Sequence, residues 1–355
     1  MTISTLQLNK VDTSVGIDVD KNSFSFTVTN NKMMYRAKKI PSNPKQLYNY
    51  ICKQYPDSNV TYAYEAGPTG YHLYDYLVSK GAKCLVVSPN TIPKASNETV
   101  KNNRIDSNKL SEKLSNNQLK SIRVPLGNYR ELRNLVKIRE NYADDRTAAK
   151  QRIKSLLLYA NLYQFIKEPD CNWSKRFVEE LKQIPCTSAV RARLDMLLMD
   201  LDYARKQLLS SHRILRNFIK QNPDIRNNMQ YATSVPGIGF ITAVTLFAKS
   251  GNPSNLRNTR ELASFIGLTP TEHSTGDTVN RGPISHLGDK KLRKLFVEAA
   301  WAAIRKDAQL LLFYHRIVSK NHPKGAKQKA ITAVARKLTE RLYRVFKDQR
   351  NYVVH

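Results

Sequence analysis

Asp18, Glu65 and Asp106 have the residue type and the placement for metal-assisted phosphoryl chemistry. Asp18 closes the β-rich stretch SVGIDVD, Glu65 closes NVTYAYE, and Asp106 stands just inside a helical stretch after KNNRI. Carboxylates converging on one edge of a sheet supply the hard oxygen donors that Mg²⁺ prefers and Mn²⁺ accepts. Two such ions about 4 Å apart activate one phosphodiester oxygen and stabilise the other. Asp20 competes with Asp18, but GID continues the buried strand while Asp20 leads into the turn. Any one of these acids is equally well explained as a helix cap or a strand end. A second group is the polar loop Ser274, Thr275 and Gly276, followed by Arg281 and then by Lys290, Lys291, Arg293 and Lys294 opening an amphipathic helix. A hydroxyl beside glycine is a nucleophile if a phosphodiester is delivered to it and cations stabilise the developing charge. By spacing alone a plain Ser-Thr-Gly turn is the simpler reading. The third is SVPGIG, residues 234–239, set between two helical stretches like the hairpin of a helix-hairpin-helix motif. There Gly237 and Gly239 let backbone N–H groups approach a phosphate without reading sequence. The alternative is a tight turn with no ligand.

The elements around these residues follow from periodicity. SVGIDVD, SFSFTVT and KMMYRAKKI read as three strands in meander. A helix near residues 42–55, the strand NVTYAYE, a break at Gly67, Pro68 and Gly70, the helix YHLYDYLVSKG and the strand KCLVVSP follow. That order is the one expected of an RNase-H-like sheet, with functional side chains at the C-terminal ends of parallel strands. From about 127 to 220 strand signals vanish and two long charged amphipathic stretches appear, as in a coiled-coil hairpin. A helical linker and a dimerisation arm both fit them. A third, mainly helical unit follows, in which ITAVARKLTERLYRVF puts Ile331, Val334, Leu338, Leu342 and Val345 on one face and basic residues on the other. The fold class is thus α/β plus α, divided as 1–125, 126–225 and 226–355.

Charge says what such a molecule touches. Lys and Arg number 58 against 29 Asp and Glu, a formal +29 in 355 residues. Residues 281–350 alone hold 18 basic and 5 acidic side chains. A field of that sign draws polyanions and releases their counterions, so nucleic acid is the expected partner. No apolar run is long enough to span a membrane, and the N-terminal stretch lacks the apolar core of a secretion signal. Cys52, Cys84, Cys171 and Cys186 form no CxxC pair, which argues against a zinc site or a disulfide framework and fits a reducing cytoplasm.

GIDV, YEAGPTGY, RIDSNKL, VPGIG and ASFIGLTPTEHSTGD followed by GPISHLGDKKLRKLFVEAAW together resemble, in order and spacing, one family. It is that of the DEDD-type insertion-sequence transposases, the Piv-invertase-related insertion sequence 110 family. The resemblance covers nearly the whole chain. It implies a RuvC-like N-terminal domain, a coiled-coil middle and a C-terminal transposase domain with a catalytic serine. Asp18, Glu65 and Asp106 match the first, second and fourth acids of that family, and its third falls on Asn103, which offers a carbonyl oxygen and one charge fewer. Ser274 matches the nucleophile, with Thr275 the alternative by gapless count; the less hindered Ser274 is favoured on chemistry. The resemblance further implies donor and target DNA, a structured guide (bridge) RNA, a dimer or tetramer with composite active sites, and a cytoplasmic, nucleoid-associated setting in a bacterium or archaeon. Two other functions fit the same residues: a RuvC-like metal-dependent junction nuclease, and a weakened transposase remnant that binds without cutting.

Overall fold

The computed structural model describes residues 11–35, 37–89, 103–167, 173–272, 281–285, 287–320 and 323–353. The chain divides into two compact units, 1–124 and 125–355.

In the first unit, strands β1 (Val11–Val19), β2 (Ser23–Asn30), β3 (Met33–Met34), β4 (Lys38–Pro41), β5 (Ser58–Glu65) and β6 (Lys83–Val87) form a six-stranded sheet. Its order is β3-β2-β1-β5-β6, with β4 also pairing with β2. β1 runs antiparallel to β2 and parallel to β5, and β5 parallel to β6. KMMYRAKKI is therefore two short strands rather than one. Met33–Met34 pair with Thr29–Asn30 while Lys38–Pro41 pair with Ser23–Phe26, both on the same edge of β2. Helices α1 (Pro44–Gln54), α2 (His72–Ser79) and α3 (Asn103–Ser115) complete the unit. Asn43 caps α1 by accepting from the amides of Lys45 and Gln46, and Pro44 opens the helix where a missing N–H costs nothing.

The two faces of this sheet differ in kind, because successive side chains of a strand point opposite ways. One face carries Val15, Ile17, Phe24, Phe26, Tyr62, Tyr64 and Val86, packed with Leu47 and Ile51 of α1 and Leu73 and Leu77 of α2. The other carries Ser14, Gly16, Ser25, Thr27, Thr29 and Ala63, and α3 lies on it.

Among its described residues the second unit is helical apart from one hairpin. It contains α4 (Asn128–Tyr159), α5 (Lys175–Gln183), α6 (Ser188–Gln221), α7 (Pro223–Ser234), α8 (Phe240–Ser250), α9 (Thr259–Ile266), α10 (Lys290–Ala303), α11 (Ala308–Ser319) and α12 (Pro323–Asp348). The hairpin is β7 (Pro270–Glu272) with β8 (Arg281–Ile284). The two long amphipathic stretches, α4 and α6, pair with each other within the chain. Their distal halves hold a separate cluster in which Ile153, Leu156 and Leu157 meet Leu194, Leu198 and Leu201, closed by Phe177 and Leu181 of α5. Their proximal ends insert Tyr129, Leu132, Val136, Leu215 and Ile219 into the core of the C-terminal helices. Residues 126–225 and 226–355 thus share one core. Ile331, Val334, Leu338, Leu342 and Val345 of α12 are all buried there, the face expected from their spacing.

Candidate functional site

The carboxylate edge is built from the docking of α3 onto β1. Ser111 Oγ donates to the Ser14 carbonyl at 3.0 Å and lies 2.8 Å from Thr29 Oγ1. One turn earlier, Ser107 Oγ lies 3.1 Å from Thr27 Oγ1, which also donates to Asn108 Oδ1 at 2.5 Å. Gly16 permits this approach: a Cβ there would stand 2.2 Å from the Ser111 nitrogen and 2.4 Å from the Ser107 carbonyl oxygen. Gly16 and Thr27 share a row of the sheet, and Ser14 and Thr29 share the row two residues away. α3 consequently runs antiparallel to β1. One further turn back from Ser107 brings Asn103 over the row of Asp18 and Ser25.

Asp18 and Glu65 belong beside each other. Ile17 pairs with Tyr64 in the parallel ladder, so the next residues, Asp18 and Glu65, end neighbouring strands about 4.8 Å apart on the face that α3 covers. Asp18 is half-buried and Glu65 exposed. Asp106 is half-buried and Asn103 exposed in the first turn of α3. Asn108 reaches Thr27 of β2, so Asp106, on the other flank of Ser107, lies towards β5. Asp20 sits outside the strand, exposed, accepting from the Lys21 amide in the β1–β2 turn. Strand register sets Asp18 beside Glu65, and the docking of α3 turns its first turn, which carries Asn103 and Asp106, towards that end of β1. Among the described residues no three His, Cys, Asp or Glu side chains stand together closely enough to hold an ion. The serines and threonines that seat α3 escaped sequence reading, although Ser107, Ser111 and Ser115 at spacing four are a small-residue stripe visible in the sequence.

The C-terminal candidates separate into structural and available groups. SVPGIG links α7 to α8, as expected of a helix-hairpin-helix-like turn. Gly237 has φ of +87°, and a Cβ there would meet the Ala299 carbonyl oxygen at 2.3 Å, so its glycine serves the packing of α10. Gly239 caps α8, and a Cβ there would meet nothing within 4 Å. Lys291 is paired within the protein, 2.9 Å from Asp144 and 3.2 Å from the buried Glu140 of α4, while its side chain stays 43% exposed. Lys249 bridges the same Glu140 to Asp289, which in turn caps α10 through the Leu292 amide. Burial would raise the Asp289 carboxyl, but Lys249 and the Leu292 amide outweigh it and hold it below the ordinary value. Arg293 donates to the Ser285 carbonyl and lies against Gly267. Lys290 and Lys294 are exposed. Ser274 and Thr275 lie outside the described residues, as does the Arg281 side chain; the strands on either side pair Glu272 with Arg281.

A model of DEDD-type insertion sequence 110 transposases matches residues 15–161, and one described as Transposase IS116/IS110/IS902 family matches residues 229–315. The chain belongs to the insertion sequence 110 transposase family. Relatives include the transposase of insertion sequence element IS1111A of Coxiella burnetii, 28% identical over 240 residues, 66% of this chain and 63% of that protein. The transposase of IS1533 of Leptospira borgpetersenii is 23% identical over 304 residues, 81% of this chain and 84% of that one. A pilin gene-inverting protein of Moraxella bovis is 28% identical over 136 residues, 38% of this chain and 41% of its own. A relative from Sinorhizobium fredii is 27% identical over 246 residues, 68% of this chain and 58% of it. The chain thus spans under two thirds of the Sinorhizobium and Coxiella relatives. In this family member the two matched regions hold the carboxylate edge and the SVPGIG turn with the basic start of α10, respectively. Among its described residues no helix is long and apolar enough to cross a membrane.

Proposed function

We propose that this chain is the recombinase of a mobile element, breaking and rejoining DNA strands through a transient phosphoserine link. The observation that carries the reading is the single edge to which β1, β5 and the first turn of α3 bring Asp18, Glu65, Asn103 and Asp106, in a chain of net charge +29. The strand order and directions of the first unit agree with an RNase-H-like, RuvC-like domain. The donor set, three carboxylates and one amide carbonyl, suits Mg²⁺ or Mn²⁺, which when bound would stabilise charge on phosphate oxygens. Without it, the acids themselves would repel the phosphate.

Ser274 is the nucleophile in this proposal. Its oxygen bonds to phosphorus as the sugar oxygen leaves and takes up a proton. Attack by another sugar hydroxyl on that ester reverses the step and frees the serine, so strands are exchanged without net hydrolysis. Lys290, Lys294 and Arg281 supply positive charge near the strand. Gly239 offers the amide end of α8 to the backbone, with Gly237 setting the turn. A structured guide RNA would choose sequence by base pairing, leaving the protein to recognise shape and charge. A dimer or tetramer is part of the reading: the outer face of α6 leaves Met196 69%, Met199 71% and Tyr203 58% exposed at coiled-coil spacing.

A trapping assay tests this. Protein, RNA transcribed from the flanks of its element, and labelled donor and target DNA are mixed in Mg²⁺, denatured and resolved on a gel. A protein–DNA adduct lost in Ser274→Ala and kept in Thr275→Ala is expected, with Asp18→Asn and Glu65→Gln reducing it by ~100-fold or more. Hydrolytic nicks without an adduct, dependent on Asp18 and Glu65, would instead make the protein a junction nuclease. Asn103 favours one further reading, a remnant that binds without cutting. It requires that cleavage appear only in Asn103→Asp.

A further inference from the structure

The edge of the sheet formed by β2, β3 and β4 with α1 combines one sign of charge with aromatic rings. Between Asp20 and Asp57 no acidic residue occurs, while seven Lys or Arg and four Tyr do. Solubility alone would be served by mixed charges, so a stretch of one sign implies a partner of the other.

The structure collects part of this stretch into one surface. Met33, 69% exposed, and Met34 form an outer strand of the sheet and lead directly into Tyr35, itself 48% exposed. The Tyr35 ring meets the Tyr55 ring edge-on, 6.1 Å between centroids, at the end of α1. Lys38 donates a hydrogen bond to the Tyr50 hydroxyl at the rim of that ring. Burial raises the Tyr55 phenol above its ordinary value, and Tyr35 and Tyr50 add to the rise, as befits three phenols that share one site. Tyr35 and Tyr55 brace each other, and Tyr50 is braced edge-on by Phe26, 5.6 Å between centroids, so less side-chain freedom remains to be lost when a flat partner arrives.

We propose that Tyr35, Tyr50 and Tyr55, with Met33 and Lys38, form a platform for unpaired nucleic acid, whose bases stack on the rings while lysines meet the phosphates. Duplex satisfies only half of this surface, since its base faces are already stacked inside. An unpaired strand satisfies both halves, because every base has an apolar face and every linkage a charge. Use of the platform in recombination rests on the proposed function; binding to it does not.

The test measures binding of full-length protein to labelled oligothymidylate and oligouridylate, to a duplex of equal length, and to phosphatidylglycerol vesicles. Tyr35→Ala is expected to weaken single-strand binding about 5- to 10-fold, within the range for loss of one stacked base. Duplex binding should change less than about twofold. Tyr35→Phe should restore the affinity, since stacking needs the ring and not the hydroxyl. Met33→Asp, at the most exposed position of the surface, should weaken it without touching the core. Equal losses on single strand and duplex, or none in Tyr35→Ala and Met33→Asp, would overturn the proposal. So would vesicle binding lost in these variants with oligonucleotide binding unchanged, which would assign the surface to lipid. Loss of single-strand affinity with a normal serine adduct, or the reverse, separates this platform from the recombination chemistry.

Discussion

Asp307 and Arg341 form the most deeply buried ion pair of the described residues, 2.5 Å apart, with the two side chains 1% and 10% exposed. Asp307 also caps α11 through the Leu310 amide, and Arg341 stacks over the Tyr352 ring at 4.9 Å. Burial would push the Asp307 carboxyl up, but Arg341 and the α11 amides more than reverse it and hold it below the ordinary value. The native state therefore binds this proton less readily than the unfolded chain does. The stabilisation is complete above the ordinary carboxylate value of about 4 and is lost as pH falls below it. Urea unfolding from pH 6 downward should show stability declining in that window, and Asp307→Asn should flatten the decline. Removing one partner, as in Arg341→Ala, leaves a charge buried and should cost about 3–5 kcal/mol at neutral pH. A loss below about 1 kcal/mol would mean that water reaches the pair. The sequence separates these residues by 34 positions, and no local pattern marks either as buried.

At the level of elements, the candidate chemistry depends on how α3 sits on the sheet. Its contact face is Ser107, Leu110, Ser111 and Leu114, and the opposing strand positions are serine, threonine and glycine. Hydroxyl pairs replace interlocking apolar side chains, and the helix backbone can approach the strand backbone directly. Gly16→Ala should push α3 away from β1 at a cost of about 1–3 kcal/mol, as overpacking commonly does. Urea unfolding checks the energy. A stability unchanged within about 0.5 kcal/mol would show that the helix shifts freely. If the proposed function holds, the same variant should lose strand cleavage while keeping DNA affinity, because Asn103 and Asp106 would leave the row of Asp18. The contrast between Gly237, closed against α10, and Gly239, open at the start of α8, has the same origin. Both are glycine in a PGIG turn, and only packing tells them apart.

For the molecule as a whole, charge dictates the manner of binding. A protein of +29 that meets 6–10 phosphates should lose roughly 10³–10⁵ in DNA affinity between about 50 and 200 mM salt. Titration of a labelled duplex across that range tests it, and a flat response would contradict backbone-led binding. The sequence by itself determined that charge, the alternation that makes β1, β2 and β5 strands, the apolar face of α12 and the family. Each is a local or summed property that needs no knowledge of neighbours. Tertiary structure decided the rest. It placed Asn103 over the row of Asp18, since nothing local records which strand a helix will cover. It withdrew Lys291 from the basic cluster by pairing it with Glu140 and Asp144, about 150 positions away in the chain. It also drew Tyr35 and Tyr55 together across a strand and a helix. Ion pairs and ring pairs are settled by distance in space, and sequence distance carries almost none of that information.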